Sequence, residues 1–175
     1  MNGGKLGGVE ATRRIRRSFP SVSVILVTDT DDEEHLFSAV KCGASAYLTK
    51  GIDPVDLVNL IRIVAQGAQP ISEALLRPGI ASRVIAEFEV FASIGEQVED
   101  LFARLSPVEA DILRRIADGG SSEQVAQALG ITKEEVEHNL GLILSKLIAN
   151  DHNLEIIETT QKRGSVPLRI PTAIT

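Results

Sequence analysis

Three aspartates, Asp29, Asp31 and Asp32, directly follow a β-branched stretch ending at Thr28; Lys50 closes a second such stretch. Carboxylate, hydroxyl and lysine are ingredients of phosphoryl handling, which also needs a nucleophile and charge neutralisation at the equatorial oxygens. A second group is Arg13, Arg14, Arg16 and Arg17. Four arginines in five positions either touch phosphate or form a solvated helix face whose cations suit the C-terminal dipole, and the second reading is preferred. Lys5 sits among glycines, but Leu6 follows it and no strand precedes it, so no phosphate-binding loop is expected and the segment reads as a loop. His35, His138 and His152 are scattered and Cys42 stands alone, which leaves no disulfide and no metal-ligand spacing. His35 reads as an exposed helix residue and Cys42 as a packed small hydrophobe. No nucleophile–base pair or nucleotide fingerprint is found, so no catalytic residue, cofactor or metal is expected and the chain reads as a non-enzyme.

Those residues hang on a recognisable order of elements. Val9–Phe19 reads as a helix with Val9, Thr12 and Ile15 on one side. Ser23–Thr28 reads as a strand, and Asp31 with Glu34 has capping-box spacing for a helix that turns Leu36, Phe37 and Val40 inward and stops at Gly43. Ala46–Thr49 is a second strand. Asp53, Pro54 and Asp56 start a helix through Leu57, Leu60, Ile61 and Val64. Short loops around a helical crossover leave the two strands parallel. Two strands are too few to stand alone, so pairing through another copy is expected. Residues 67–79 read as a connector, and Ile80, Val84, Phe88 and Phe91 as a helix. After a break near Ser93–Gly95, Ile94, Val98, Leu101 and Phe102 read as a second amphipathic stretch. Ser106/Glu109, Ser121/Gln124 and Thr132/Glu135 then cap three successive helices, the last two separated by a turn of about three residues, a helix-turn-helix arrangement. Val166–Ile170 fits at most an edge strand between Pro167 and Pro171.

Composition narrows the partners. The 18 basic and 24 acidic residues give −6, against a protein that coats nucleic acid by bulk charge. Five Phe, one Tyr and no Trp mean aliphatic cores and few stacking platforms. No leader pattern and no run approaching 18 apolar residues is present, so the cytoplasm is expected and no membrane partner.

Leu105, Glu109, Leu113, Ser121, Val125, Ala126, Leu129, Ile131, Val136, Ile143, Lys146 and Leu147 fall on the scaffold pattern of the LuxR/NarL-type DNA-binding domain, which residues 105–149 resemble. Residues 9–66 are similar to the second half of the receiver domain of two-component response regulators. The resemblance matches Thr28 to the switch hydroxyl, Tyr47 to the switch aromatic and Lys50 to the phosphoryl-contacting lysine. It implies an α/β partial receiver-like (flavodoxin-like) segment with a short parallel sheet, plus an all-α four-helix helix-turn-helix domain joined by a helical linker. The expected division is 1–68 truncated receiver-like segment, 69–104 helical linker, 105–154 helix-turn-helix domain and 155–175 tail. The implied function is a transcription regulator binding double-stranded DNA as a homodimer.

Departures from the pattern matter. The receiver's metal-holding acids and phospho-acceptor aspartate belong to strands before this segment, so the chain reads as an N-terminally truncated receiver that works without phosphorylation, with Thr28, Tyr47 and Lys50 as a vestigial switch. In the recognition helix, Glu137 stands where the family usually has Lys and Asn139 where it has His, and Glu123 replaces a Lys in the helix before. Residues 105–154 hold four basic and eight acidic side chains, net −4. Lys133, His138, Asn139 and Lys146 are the residues left to touch DNA. The alternative is a protein-interaction or structural module whose acidic helix meets a basic protein partner.

Overall fold

The structure is a computed structural model and describes residues 7–96 and 101–162. Lys5, Val98 and the Val166–Ile170 segment with its flanking prolines lie outside the described residues. The order is α1 (Gly7–Ser18), β1 (Ile25–Thr28), α2 (Glu33–Cys42), β2 (Ala46–Thr49), α3 (Pro54–Ala65), a 3-10 helix (Pro70–Leu76), α4 (Pro78–Gly95), α5 (Pro107–Ala117), α6 (Ser122–Leu129) and α7 (Lys133–Lys162). An α/β segment with a short two-stranded sheet is thus followed by an all-α helix-turn-helix unit.

β1 and β2 pair in parallel, Ile25 beside Ala46 through Thr28 beside Thr49. Leu26 and Tyr47 face the principal core with α2. Ala46 and Leu48 face the other way, are buried, and lie outside that core. The 3-10 helix packs against β2, whereas of the expected inward set of α3 only Val64 is buried; Leu57 and Leu60 are half-buried and Ile61 is 48% exposed. A sheet two strands wide is too narrow to receive the whole apolar face of a helix. Val27, on the same sheet face by alternation, is 50% exposed.

Other expectations are corrected by the packing. The cap of α2 is Asp32, whose side chain accepts from the His35 backbone N–H, while Asp31 faces Arg77 at 3.4 Å. His35 is half-buried and its ring contacts Asp32, a pairing that holds the Asp32 carboxyl below its usual range. On α1, Val9 and Thr12 are buried but Ile15 is 38% exposed. Two of its arginines are not simply solvated: Arg13 reaches Asp151 at 3.2 Å and Arg17 pairs with Glu155, both on α7. Cys42 is buried as expected, and burial pushes its thiol up.

The stretch read as a connector places Ile71, Ala74 and Leu75 in the core. α4 forms the middle of one buried cluster that runs from Leu36 and Val40 through Ile80, Val84 and Phe91 to Ile112, Leu140 and Leu147. Leu101 and Phe102 are not helical. Side chains of α7 hold their backbone instead, Asn153 donating to the Leu101 carbonyl at 2.8 Å, and Phe102 stacks on Phe91 with ring centroids 5.3 Å apart. Finally, α7 is one helix of 30 residues, so three helices stand where four were expected, and the tail from 155 is helical to Lys162. Residues 147–155 contain neither Gly nor Pro, and nothing there stops the helix.

Candidate nucleic-acid interface

The helix-turn-helix is built by caps. Ser106 accepts from the Glu109 backbone N–H while the Glu109 carboxylate accepts from the Ser106 N–H; Ser121 and Gln124 repeat the arrangement. Gly130 ends α6 at φ 66°, a left-handed conformation that a side chain would oppose. Thr132 and Glu135 make the third reciprocal pair, at 3.1 and 2.7 Å. Val125, Val136 and Leu140 are buried beneath. The start of α7 therefore leaves the turn in a fixed direction.

That start is open to solvent. Lys133, Glu134, Glu135, Glu137 and His138 are exposed, and Asn139 is partly so. Lys133 Nζ lies 2.8 Å from Glu123 Oε1 across the turn. This hydrogen bond holds the Glu123 carboxyl down at about 2 and pushes the Lys133 ammonium up. Asn139 Nδ2 donates to the Glu135 carbonyl at 2.7 Å. Lys146 stands apart from the other three. Its Nζ is 2.7 Å from Glu109 Oε2, a carboxylate whose side chain is only 3% exposed, and it donates to the Arg104 carbonyl at 3.1 Å. Lys133, His138 and Asn139 thus share one end of α7, whereas Lys146 fastens α7 to the foot of α5.

Sequence reasoning missed the rest of that fastening. Asn150 donates to the Ala103 carbonyl and accepts from its N–H, both at 2.8 Å. Lys146, Asn150 and Asn153 are spaced by four and three residues, one face of a helix. The spacing was visible; its target, an irregular segment some 47 residues back, was not.

At the other end of the molecule, Tyr47 donates to the Thr30 carbonyl at 3.1 Å, and the Thr30 N–H lies 3.4 Å from Thr28 Oγ1. Lys50 Nζ is 2.7 Å from Asp29 Oδ1, both side chains being largely exposed. Thr28, Tyr47 and Lys50 therefore gather at one end of the sheet. Among the described residues no group of His, Cys, Asp and Glu could hold a metal ion, and no helix is long and apolar enough to cross a membrane.

Residues 1–62 match the model of the response regulator receiver domain, and residues 103–156 match that of the bacterial regulatory proteins of the luxR family. The transcriptional regulatory protein DegU of Brevibacillus brevis is 30% identical over 180 residues, covering 97% of this chain and 74% of DegU. The nitrate/nitrite response regulator protein NarP of Escherichia coli is 29% identical over 160 residues, covering 91% and 70%. A solved structure of two RcsB dimers bound to two parallel DNAs is 24% identical, covering 89% of this chain and 70% of that one, with a TM-score of 0.34.

Proposed function

From the chain's membership of the luxR-family response regulators, we propose that it is a cytoplasmic transcription regulator that binds double-stranded DNA as a homodimer and acts without phosphorylation. The working parts are a receiver-like segment (1–68), a helical connection (69–104) and the helix-turn-helix domain (105–154), with 155–175 as its extension. The observation that carries this reading is the free start of α7: its cap set is complete, its buried face is packed, and its outward residues are in solvent rather than against the receiver-like segment. Lys133, His138 and Asn139 are the contacts, with Lys146 holding the helix at the right angle. In support of phosphorylation-independence, Lys50 is paired with Asp29 beyond β1, and Thr28 and Tyr47 bind local backbone, so each has a partner within this segment without a phosphoryl group.

The second reading, an interaction module with a basic protein partner, draws on the exposed Glu134, Glu135 and Glu137 and on the neutralisation of Lys133 by Glu123. Phosphate attraction supplies nearly all non-specific DNA affinity, and this face weakens it. Fluorescence anisotropy of a labelled duplex across a salt series separates the two. Glu137→Lys with Glu134→Gln is expected to tighten binding to mixed-sequence DNA at low salt and to steepen its salt dependence by about one phosphate contact. If neither protein binds, and selection from random duplexes recovers no site, the DNA reading is wrong and the second one stands.

A further inference from the structure

We propose that the cavity between α4 and α5 is a binding site for a small apolar monocarboxylate. The cavity measures about 260 Å³ and is walled by Ile85, Phe88, Phe91, Leu101 and Phe102. Three of the chain's five phenylalanines thus meet at one place in an aromatic-poor protein. Phe88 meets Phe91 edge-on at 5.8 Å and Phe102 stacks on Phe91, so the three rings form one packed cluster. Two exposed arginines, Arg104 and Arg114, stand on its rim, and neither has an ion pair among the described residues. Glu89 is the one carboxylate in the lining among the described residues, against the two guanidinium groups.

Apolar walls with a guanidinium rim select an amphipathic anion. The tail leaves water for the phenylalanine-lined interior, and the carboxylate accepts paired N–H bonds from a planar guanidinium at the mouth. An amine of the same shape meets the wrong charge, and a neutral alcohol gains only the apolar part. At interior packing density the volume holds roughly a dozen heavy atoms, below the ordinary range for drug-sized ligands. Decanoate and 4-phenylbutanoate both have that size.

The site is also wired to α7. Leu101–Leu105 forms one wall, and its other side is held by Asn153, Asn150 and Lys146 of the helix that begins at the proposed DNA contacts. An effect of the ligand on DNA affinity rests on the reading in the preceding section; binding of the ligand does not, and the two are measured separately.

Isothermal titration of the full chain with decanoate and with 4-phenylbutanoate tests the site, with decanol as the neutral control. At least one of the two carboxylates should bind saturably to one site. Arg104→Gln with Arg114→Gln should weaken it roughly tenfold, the loss of a charge-assisted pair, while leaving the weaker decanol binding unchanged. Ala92→Phe, an exposed rim position on α4, should fill the mouth and abolish both, with circular dichroism and melting showing that each variant is folded. Non-saturating uptake of both carboxylates overturns the proposal. So does saturable binding that is indifferent to Ala92→Phe or to the paired arginine changes.

Discussion

Lys146 and Glu109 show how one residue can look like a surface contact in sequence and act as an internal fastening. Glu109 is 2% exposed and its carboxylate accepts from only two donors among the described residues, the Ser106 N–H at 2.8 Å and Lys146. Lys146→Ala leaves that charge half-satisfied and is expected to lower stability by about 2 kcal/mol, below the range for a fully buried pair because the lysine is partly solvated. Adding Glu109→Gln should recover part of the loss, since a neutral amide can keep the Ser106 bond. Urea denaturation of the two variants measures both effects. The Lys133–Glu123 pair differs in kind, being fully exposed. The Glu123 carboxyl titrates at about 2 in the fold, below its ordinary 4.5. Its contribution to stability is therefore present above pH 4.5 and fades as the pH falls toward 2. Lys133→Ala should return the Glu123 carboxyl toward 4.5 in a carbon-detected NMR titration; an unchanged value would mean that the pairing is not what holds it. Capping boxes were legible because four adjacent residues contain all their partners. The partner of Lys146 lies 37 residues away and was not.

At the scale of elements, helices were read well wherever local signals suffice, and misread where the neighbour decides. The α2 and α6 ends follow from Gly43 and Gly130, and the 3.6-residue repeat of Ile80, Val84, Phe88 and Phe91 gave α4 its buried side. Leu101 and Phe102 have the composition of a helix but not its backbone, because the α7 amides satisfy that segment from outside. Asn150 is 0% exposed and occupies both polar groups of Ala103. Asn150→Ala removes both partners of the Ala103 backbone; Ala103 itself is exposed, so water replaces them in part and the expected cost is about 1 kcal/mol. Amide exchange at Ala103 should accelerate in step with that loss, whereas exchange in the middle of α5 should follow only global unfolding. Equal acceleration everywhere would show that Asn150 supports the whole fold rather than this clip. The length of α7 was legible only in part: its start is marked by a cap, but its continuation past 147 depended on the absence of a breaker, which is a weaker signal than the presence of one.

The whole molecule has one principal core but two unequal ends. The helix-turn-helix end leaves Val108 and Leu142 exposed, while the sheet end leaves Val55, Val58 and Ile61 in a stripe along α3 at 67, 45 and 48% exposure, and Val27 of β1 is half-exposed. The sequence announced this deficit, since two strands cannot bury both faces of a sheet, but it could not say which side chains would be left out. Register and burial settle that: Val27 shares a sheet face with Leu48, yet Leu48 is 9% exposed and Val27 50%. A second copy placed over this face would bury the stripe. In a symmetric pair both copies bury their stripe, so six half-exposed aliphatic side chains supply roughly 5–9 kcal/mol before the cost of association. Micromolar association requires about 8 kcal/mol net of the translational and rotational freedom that is lost, so the stripe alone is insufficient and Val27 with the open β1 edge must contribute. The expected outcome is a dimer in sedimentation at tens of micromolar that becomes monomeric in Val58→Lys with Ile61→Lys, and is weakened by Val27→Thr. Because these positions are exposed in one copy, melting of the monomeric variants should show the stability of an intact fold once the contribution of association is removed. A wild-type chain that sediments as a monomer would overturn the pairing, and a dimer unaffected by all three changes would place its surface elsewhere; either leaves the α3 stripe without a role in assembly.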